Sequence, residues 1–391
     1  MLLVKNRVMV NVNKLGISNL FFMGGNMEKD LKLIVMKGAE NLGERVDVYL
    51  KKAFNTDKTF IVNTSNPRFN NGEAKALINE SIRNDDVYIL CDIGNHSIDY
   101  EMYHKTSYMS PDEHFQDLKR FICACMGHAN RINVIMPLLY ESRQHRRKGR
   151  ESLDCAMALQ ELERLGVKEI ITFDAHDPNI QNAIPCSSFD SFYVTTNIIE
   201  SMMKDDQNML NNPDNYLVIS PDVGAMDRAR YYADMLGTDV GICYKRRDLS
   251  KIVNGKNPVV AHEYLGKDVK EKNLLIVDDM IASGGSILDC AKMMKERGAE
   301  NISLAATFSL FTEGKEKFEE YYNKGIISKV YSTNLTYLDE DIKKEPWFEE
   351  VDCSENISEI IYKLYLGQSI SPLLNGKEKA TELVRSLRRK N

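Results

Sequence analysis

The chain has 391 residues, enough for two or three domains that bury their own cores without disulfide or metal staples. With 43% hydrophobic and 28% charged residues it has a globular composition, which excludes a disordered, collagenous or membrane-spanning chain. The net charge of -6 has the wrong sign for a general nucleic-acid binder, yet five of the eight residues from Arg143 to Arg150 are basic. Lys245 to Arg247 form a second basic cluster, and such local cationic sites favour a small polyanionic ligand.

Eight cysteines are scattered along the chain, most of them within apolar runs where cysteine behaves as a small buried hydrophobic residue. Cys123 and Cys125 form a Cys-x-Cys, but no second Cys or His pair follows at a spacing typical of metal ligands. The sequence shows neither a signal-peptide pattern nor an apolar run of about 18 residues. We therefore expect a cytoplasmic protein with reduced thiols that binds neither nucleic acid nor membrane.

Residues 1–30 mix short apolar pieces with Asn and Gly and show no long period, so we interpret them as an N-terminal extension. From residue 31, short apolar runs alternate with longer amphipathic segments, a pattern typical of βαβ units on a parallel sheet. This alternation predicts a first α/β domain over residues 31–185. Its predicted strands are Leu31–Met36, Val87–Cys91, Ile132–Met136 and Glu169–Phe173, and its predicted helices are Pro111–Met126 and Glu151–Leu165.

The same alternation starts again after residue 185 and predicts a second α/β domain over residues 186–340. Residues 341–391 contain a helical pattern at Ile357–Leu366 and a basic amphipathic end, and we interpret them as a C-terminal helical extension used for docking or oligomerisation. The strands predicted in the second domain are Tyr216–Ile219, Val240–Tyr244, Asn273–Val277, Ile302–Thr307 and Lys329–Ser332, and the helices are Ala225–Leu236, Gly285–Arg297 and Glu313–Asn323.

The most informative stretch begins as a buried strand and leads into a helix. The strand ends in Asp278-Asp279, and Ser283-Gly284-Gly285-Ser286 follows at the start of the helix. Ligands bind outside the carboxyl ends of parallel strands, so both carboxylates reach the edge of a site. Hydroxyl donors, glycines and the N–H groups of a helix N-terminus favour a phosphate, so the stretch fits a sugar phosphate. A P-loop is excluded because Gly-Lys-Ser/Thr is missing, and a Rossmann fingerprint because acids stand where its first glycine should be.

This segment resembles the phosphoribosyl pyrophosphate (PRPP) binding motif that type I phosphoribosyltransferases share with ribose-phosphate pyrophosphokinases. Five further stretches, in the family's order, resemble the pyrophosphokinases and not the transferases. They are Arg68–Glu73 with Asn79–Arg83, Arg143-Gln144, Asp174–Asp177, Ser220–Gly224 and Lys245–Arg247. The match covers about residues 35–340. It implies two tandem type I phosphoribosyltransferase-like domains, each a mostly parallel sheet flanked by helices, with ATP on the first and ribose 5-phosphate on the second.

The resemblance also implies a role for each matching residue. Lys245 and Arg247, just past a predicted strand, would be catalytic residues on a mobile loop bounded by Ser250 and Gly255. His176 and Asp222 would bind Mg²⁺, the expected cofactor. The implied ATP-binding residues are Phe69, Asn71, Glu73, Arg143, Gln144 and His176, and the implied ribose 5-phosphate-binding residues are Asp278, Asp279, Ser283, Gly284, Gly285 and Ser286.

The implied reaction is attack by the C1 hydroxyl of ribose 5-phosphate on the β-phosphorus of Mg-ATP, giving PRPP and AMP for nucleotide biosynthesis. Phe69 and Glu73 resemble residues that reach the ATP site of a neighbouring subunit, which implies a dimer-based homo-oligomer such as a hexamer.

Four positions depart from the commonest family pattern: Asn71, His145 and Ala282 replace Asp, and Phe308 replaces His. Ala282 matters most, because the Asp of many relatives contacts the ribose hydroxyls, so we expect weaker binding of the sugar. The departures leave open a catalytically weak regulatory homologue, and the shared loop leaves open a type I phosphoribosyltransferase.

Overall fold

A computed structural model describes residues 29–205, 212–247 and 259–374. The first unit of the chain is built on a sheet of five parallel strands, in the order β1-β4-β7-β8-β9. Two small antiparallel pairs, β2 with β3 and β5 with β6, stand outside this sheet. The elements in chain order are β1 (Leu31–Val35), α1 (Glu40–Phe54), β2 (Thr64–Ser65), β3 (Leu77–Ile78), β4 (Asp86–Leu90), β5 (Asp99–Met102), β6 (Lys105–Tyr108), α2 (Pro111–Cys125), β7 (Arg131–Ile135), α3 (Asp154–Arg164), β8 (Glu169–Phe173) and β9 (Ser188–Phe192).

Local sequence explains where these elements begin. Helix α2 starts with a capping box, because the Ser110 side chain accepts from the Glu113 backbone N–H while the Glu113 carboxylate accepts from the Ser110 N–H. Pro111 occupies the first helical position, where its missing N–H costs no hydrogen bond. Strand β4, with the sequence Asp-Val-Tyr-Ile-Leu, is buried at every position, as expected for a central parallel strand covered on both faces.

The second unit is built on a seven-stranded sheet in the order β12-β11-β10-β13-β14-β15-β16, in which only β12 runs antiparallel to its neighbour. The chain order reverses between β10 and β13, which creates a crevice outside the carboxyl ends of these two strands. Its elements are α4 (Thr195–Asp205), β10 (Tyr216–Ser220), α5 (Met226–Leu236), β11 (Asp239–Arg247), β12 (Val259–Leu265), β13 (Asn273–Ile281), α6 (Gly285–Glu296), β14 (Asn301–Ser309), α7 (Glu316–Asn323), β15 (Lys329–Thr333), α8 (Glu340–Lys343), β16 (Phe348–Val351), α9 (Ser354–Tyr365) and α10 (Ser371–Leu374).

A single hydrophobic core lies between the two sheets and is shared by both units. It contains Leu33 and Phe173 of the first sheet together with Val218 and Phe308 of the second. Helix α9 also contributes to it and packs on α1, where the Ser358 hydroxyl donates to the Val46 carbonyl at 2.9 Å. The helical pattern predicted near residue 357 is therefore confirmed as a helix that docks within the chain. Two further cores cover the outer faces, one under α2 and α3 and the other under α6 and α7.

The predicted strands and helices are all present, but the structure moves two of the predicted boundaries. Strand β9 lies beyond residue 185 and still pairs with β8 in the first sheet. Residues 341–391 are not only helical, because β16 pairs with β15 at the edge of the second sheet. Both strands have mixed polar sequences, Ser-Phe-Asp-Ser-Phe and Phe-Glu-Glu-Val, so a search for apolar runs passes over them. We propose the division between the units after residue 192.

The remaining predictions about the chain ends lie largely outside the described residues. Residues 1–28 of the expected N-terminal extension and residues 375–391, which include the basic end, are not described. Within the described ranges, no helix combines the length and the apolar character needed to cross a bilayer.

Candidate active site

The carboxyl ends of β8, β10 and β13 meet at a cavity of about 640 Å³ between the two units. Its position agrees with the crevice expected where the strand order of the second sheet reverses. Its wall is formed by Arg143, His145, Arg146 and His176 of the first unit and by Asp222–Ala225, Arg228, Tyr244 and Asp278–Ile287 of the second. The structure thus brings together ten of the residues selected from the sequence and its motifs: Arg143, His145, His176, Asp222, Asp278, Asp279, Ser283, Gly284, Gly285 and Ser286.

The loop that ends β13 depends on a glycine at one position. Gly284 has a φ of 76°, in the left-handed region that residues with a Cβ rarely adopt. A Cβ on Gly284 would lie 2.5 Å from the ring of Phe318, which is itself fully buried. A Cβ on Gly285 would meet no close contact, since the nearest atom would be the Ser283 hydroxyl at 3.7 Å. This tight turn lets α6 begin at the cavity wall, and the N-terminus of a helix favours an anion.

The two carboxyls of the acid pair have opposite electrostatic surroundings. Burial and the charge of Asp279 raise the pKa of Asp278 above its usual range. Burial alone would also raise the pKa of Asp279, but the hydrogen bond from His176 and the charge of Arg228 outweigh it and lower that pKa. Asp279 is therefore the ionised member of the pair at neutral pH.

His176 connects the two units across the cavity. Its Nδ1 lies 2.6 Å from Oδ2 of Asp279, and this hydrogen bond raises the pKa of His176 above its ordinary value. The ring of His145 lies 5.2 Å from that of His176, measured between centroids. His145 Nδ1 is 3.1 Å from the Ser142 carbonyl, and its Nε2 lies 2.7 Å from Arg146 Nε.

A buried arginine that sequence reasoning did not select holds the same region together. Arg228 of α5 forms a two-pronged ion pair with Asp174, with Nη2–Oδ1 at 2.7 Å and Nε–Oδ2 at 2.9 Å. The side chains are only 12% and 4% exposed. Thr307 donates to Asp174 at 2.7 Å, and Arg228 Nη1 lies 3.9 Å from Asp278. Burial opposes the charge of Arg228, but Asp174 outweighs it and raises the pKa. The sequence feature that could have identified Arg228 is its place six residues after Asp222, on the helix that follows.

The two residues predicted to be catalytic lie elsewhere than the sequence suggested. Lys245 and Arg247 were expected just past a strand, but their backbone belongs to β11, where they pair with His262 and Val259 of β12. The error arose because β12 was not recognised, and its antiparallel pairing extends β11 by three residues. Tyr244, which immediately precedes Lys245, lines the cavity. The predicted mobile loop falls largely on residues 248–258, outside the described residues.

Four residues predicted to bind ATP lie outside the cavity wall that the described residues form. The Phe69 side chain is 52% exposed, on a turn where Asn71 Nδ2 donates to Glu73 at 2.9 Å. Gln144 donates to the Ser152 carbonyl at 2.8 Å. Their assignment to ATP stays a prediction.

Two of the four departures from the family pattern face the ligand space, and two do not. His145 and Ala282 line the cavity. Phe308 is fully buried in the core between the sheets, and Asn71 lies on the exposed turn. Ala282 therefore places a methyl group where a polar contact to a ligand would otherwise be possible.

The cavity can accommodate Mg²⁺ only in a coordination shell that is rich in water. Among the described residues, no group of three or more His, Cys, Asp or Glu side chains is arranged to hold a metal ion. Asp222 offers a carboxylate at the wall, and its Oδ1 is oriented by the N–H groups of Gly224 and Ala225 at 2.8 and 3.1 Å. Mg²⁺ keeps several waters and binds through one or two carboxylates plus substrate phosphates, so this donor set fits it.

Comparison with known proteins gives a consistent result for both units. Residues 31–166 match the family model of the N-terminal domain of ribose phosphate pyrophosphokinase, and residues 195–341 match that of the phosphoribosyl transferase domain. The ribose-phosphate pyrophosphokinase of Chlorobaculum tepidum is 29% identical over 353 residues, which are 90% of this chain and 97% of that protein. The same enzyme of Staphylococcus aureus is 29% identical over 354 residues, with 88% and 97% covered. The crystal structure of phosphoribosylpyrophosphate synthetase from Mycobacterium smegmatis aligns with a TM-score of 0.71 at 21% identity, covering 87% of this chain and 100% of that chain.

Proposed function

The chain belongs to the ribose-phosphate pyrophosphokinase family, with two tandem phosphoribosyltransferase-type domains, and from this premise we propose its reaction in detail. It transfers the β,γ-diphosphoryl group of Mg-ATP to the C1 hydroxyl of ribose 5-phosphate, and the products are PRPP and AMP. The product serves nucleotide biosynthesis.

One observation carries this proposal: a single cavity is lined by both the residues that resemble an ATP site and those that resemble a PRPP site. His176 of the first unit contacts Asp279 of the second at 2.6 Å. A donor bound beside His176 and an acceptor bound beside the acid pair would therefore be adjacent, as a direct transfer requires.

On the acceptor side, the chain's own groups match the parts of ribose 5-phosphate. Asp279, which is ionised, accepts hydrogen bonds from ribose hydroxyls, and Asp278 stands beside it. The hydroxyls of Ser283 and Ser286, with the backbone of Gly284 and Gly285 at the start of α6, hold the 5-phosphate. Ala282 contributes no polar contact, so we expect a higher KM for ribose 5-phosphate than in relatives that carry Asp there.

On the donor side, positive charge is concentrated where phosphates would lie. Arg143 and His176 line the cavity and are proposed to bind the ATP phosphates, while Phe69, Asn71, Glu73 and Gln144 are proposed to complete the ATP site. We propose that Phe69 and Glu73 do so for a neighbouring subunit of a dimer-based homo-oligomer. Mg²⁺, when bound at Asp222 with His176 beside it, would neutralise phosphate charge and orient the triphosphate.

The transfer itself depends on positioning and charge stabilisation more than on covalent catalysis by the protein. The C1 oxygen loses its proton and forms a bond to the β-phosphorus, while the bond between that phosphorus and the oxygen of the α-phosphate breaks and AMP leaves. We propose that Lys245 and Arg247, carried by β11, stabilise the negative charge on the diphosphoryl group. We place the reaction in the cytoplasm, since the eight cysteines are free.

The decisive experiment is to incubate the full chain with Mg²⁺, ATP and ribose 5-phosphate and to follow the phosphorus-containing products, with AMP and ADP resolved. PRPP and AMP in equal amounts are expected. Release of ADP, or no turnover, would contradict the proposal. An Asp279→Asn variant should lose activity, while a variant of the exposed Arg230 on α5 serves as the control.

Ala282 and His145 in the cavity wall favour one alternative, a catalytically weak regulatory homologue. This alternative predicts no turnover by the chain alone and a change in rate when it is mixed with an active synthetase. A type I phosphoribosyltransferase would instead consume PRPP in the presence of a nucleobase. The product assay therefore separates the three functions when it is repeated with an active synthetase and with PRPP plus a nucleobase.

A further inference from the structure

Two buried cysteines are in contact beside the cavity, and the proposed reaction uses neither. Cys243 of β11 is 3% exposed and Cys290 of α6 is 2% exposed. Their sulfur atoms are 2.7 Å apart. This separation is shorter than the 3.5–4.0 Å usual between non-bonded carbon atoms and longer than the ~2.05 Å of a disulfide bond. Only a small movement separates the pair from covalent bonding.

The other cysteines have different surroundings, which makes this pair distinctive. The thiols of Cys91 and Cys353 donate to backbone carbonyls at 3.6 and 3.8 Å. Cys123 and Cys186 are exposed. All eight cysteines lie within the described residues, and Cys243 and Cys290 are the two whose sulfurs are in contact.

We propose that Cys243 and Cys290 form a redox modification site, at which a peroxide converts the two thiols into an intramolecular disulfide that ties β11 to α6. One sulfur attacks the peroxide, the O–O bond breaks, and a sulfenic acid and one water form. The second sulfur then displaces the sulfenic oxygen, which leaves as a second water. Two thiols and one hydrogen peroxide thus give one disulfide and two waters, and a thiol reductant reverses the change.

The position of the pair connects this modification to the proposed function, on which its effect on turnover rests. Cys243 immediately precedes Tyr244, which lines the cavity, and Lys245. Cys290 lies in the second turn of α6, the helix that begins at the phosphate loop. A covalent bond here fixes the strand that carries the two proposed catalytic cations against the helix that holds the acceptor phosphate. We expect kcat to fall several-fold on oxidation and to recover after reduction.

The surroundings of the pair also determine how fast it reacts. The hydrogen bond with Cys243 and burial both raise the pKa of the Cys290 thiol well above its usual value. Since the thiolate is the reactive form, the pair should react more slowly than an ordinary exposed thiol, over minutes to hours. A small peroxide reaches a buried pair more readily than a bulky oxidant does.

The site is tested by treating the folded full chain with hydrogen peroxide, blocking the remaining thiols by alkylation, and digesting with trypsin without reduction. The expected result is a linked pair of peptides, residues 231–245 and 273–292, that separates after dithiothreitol. Cys243→Ala and Cys290→Ala should each abolish the linked pair. Cys155→Ala removes a buried cysteine of α3 that belongs to another core, and this control should retain it. Alkylation of both cysteines after prolonged oxidation would overturn the proposal, as would linkage only in unfolded protein.

The effect on function is measured separately, so that the two proposals can fail independently. Peptide linkage needs no turnover, so it tests the cysteine site even if the chain does not make PRPP. If PRPP is made, kcat of the oxidised chain should fall at least threefold and recover with dithiothreitol, while oxidised Cys290→Ala should keep its own untreated rate. A linked chain with unchanged kcat would refute the regulatory role and leave only a structural disulfide.

Discussion

Replacing Arg228 tests whether one buried ion pair joins the two units of the chain. In Arg228→Met, Asp174 loses both prongs of its ion pair and keeps the hydrogen bond from Thr307. Asp278 also loses the cation 3.9 Å away. Removing one partner of a buried pair costs about 3–5 kcal/mol, because the remaining charge is left without compensation. This is a large fraction of the 5–15 kcal/mol that stabilises a typical protein.

Unfolding is measured in urea, with tryptophan fluorescence as the signal. Trp347 is the single tryptophan of the chain and is buried in the second unit, where it stacks on Phe318. Arg230→Met is the matched control on the same helix, because Arg230 is 66% exposed and pairs with Asp227 on the surface. The control should change the free energy of unfolding by less than about 0.5 kcal/mol.

A double variant separates the ion pair from simple loss of side-chain volume. Asp174→Asn removes the charge that Arg228→Met leaves unpaired, so the double variant should be less destabilised than the sum of the single variants. Arg228→Lys keeps the charge but not the planar fork, and should fall between wild type and Arg228→Met. Stability of Arg228→Met within about 1 kcal/mol of wild type, or additive effects in the double variant, would refute this reasoning.

Three further predictions concern single positions. Gly284→Ala should lose about 1–3 kcal/mol of stability and raise KM for ribose 5-phosphate, because its Cβ meets the buried ring of Phe318, whereas Gly285→Ala should be close to wild type in urea unfolding. Ala282→Asp should lower KM for ribose 5-phosphate about tenfold or more by adding a charged hydrogen bond to the sugar, and an unchanged KM would count against the proposed acceptor site. Burial raises the pKa of Asp92 to about 6, above the 3.8 of an unfolded chain. Between about pH 4 and 6 the native state therefore binds a proton at Asp92 that the unfolded state does not, so wild type should lose stability as pH rises through this range. Asp92→Asn should flatten this pH dependence in unfolding curves.

The fold was largely predictable because parallel strands that are buried on both faces leave a strong pattern in the sequence. Glu169–Phe173 was found at its observed bounds, since it is a short apolar run that follows an amphipathic helix. The polar edge strands β9 and β16 were missed, because their positions depend on pairing partners distant in sequence. Strand β12 was missed for the same reason, and without it Lys245 and Arg247 were predicted to lie in a loop.

The residues of the candidate site were likewise only partly predictable from the sequence. Asp278, Asp279 and the Ser-Gly-Gly-Ser loop were recognisable because neighbouring residues in one chain segment carry the pattern. Arg228 was not, because its meaning depends on Asp174, which lies 54 residues earlier and in the other unit. A lone arginine on an amphipathic helix has the same sequence signature whether it is buried in an ion pair or exposed like Arg230.

The buried charges explain why this site needs both units. The proposed acceptor site places Asp278 and Asp279 side by side in a buried position, where negative charge is unfavourable unless cations lie close to it. The first unit supplies His176, which contacts Asp279 directly, and the second supplies Arg228, held in place by Asp174 of the first. Asp279 and Asp174 are thus each paired with a side chain from the other unit. Separating the units would leave these charges uncompensated, so the ion pairs that surround the proposed acceptor site also hold the proposed donor site against it.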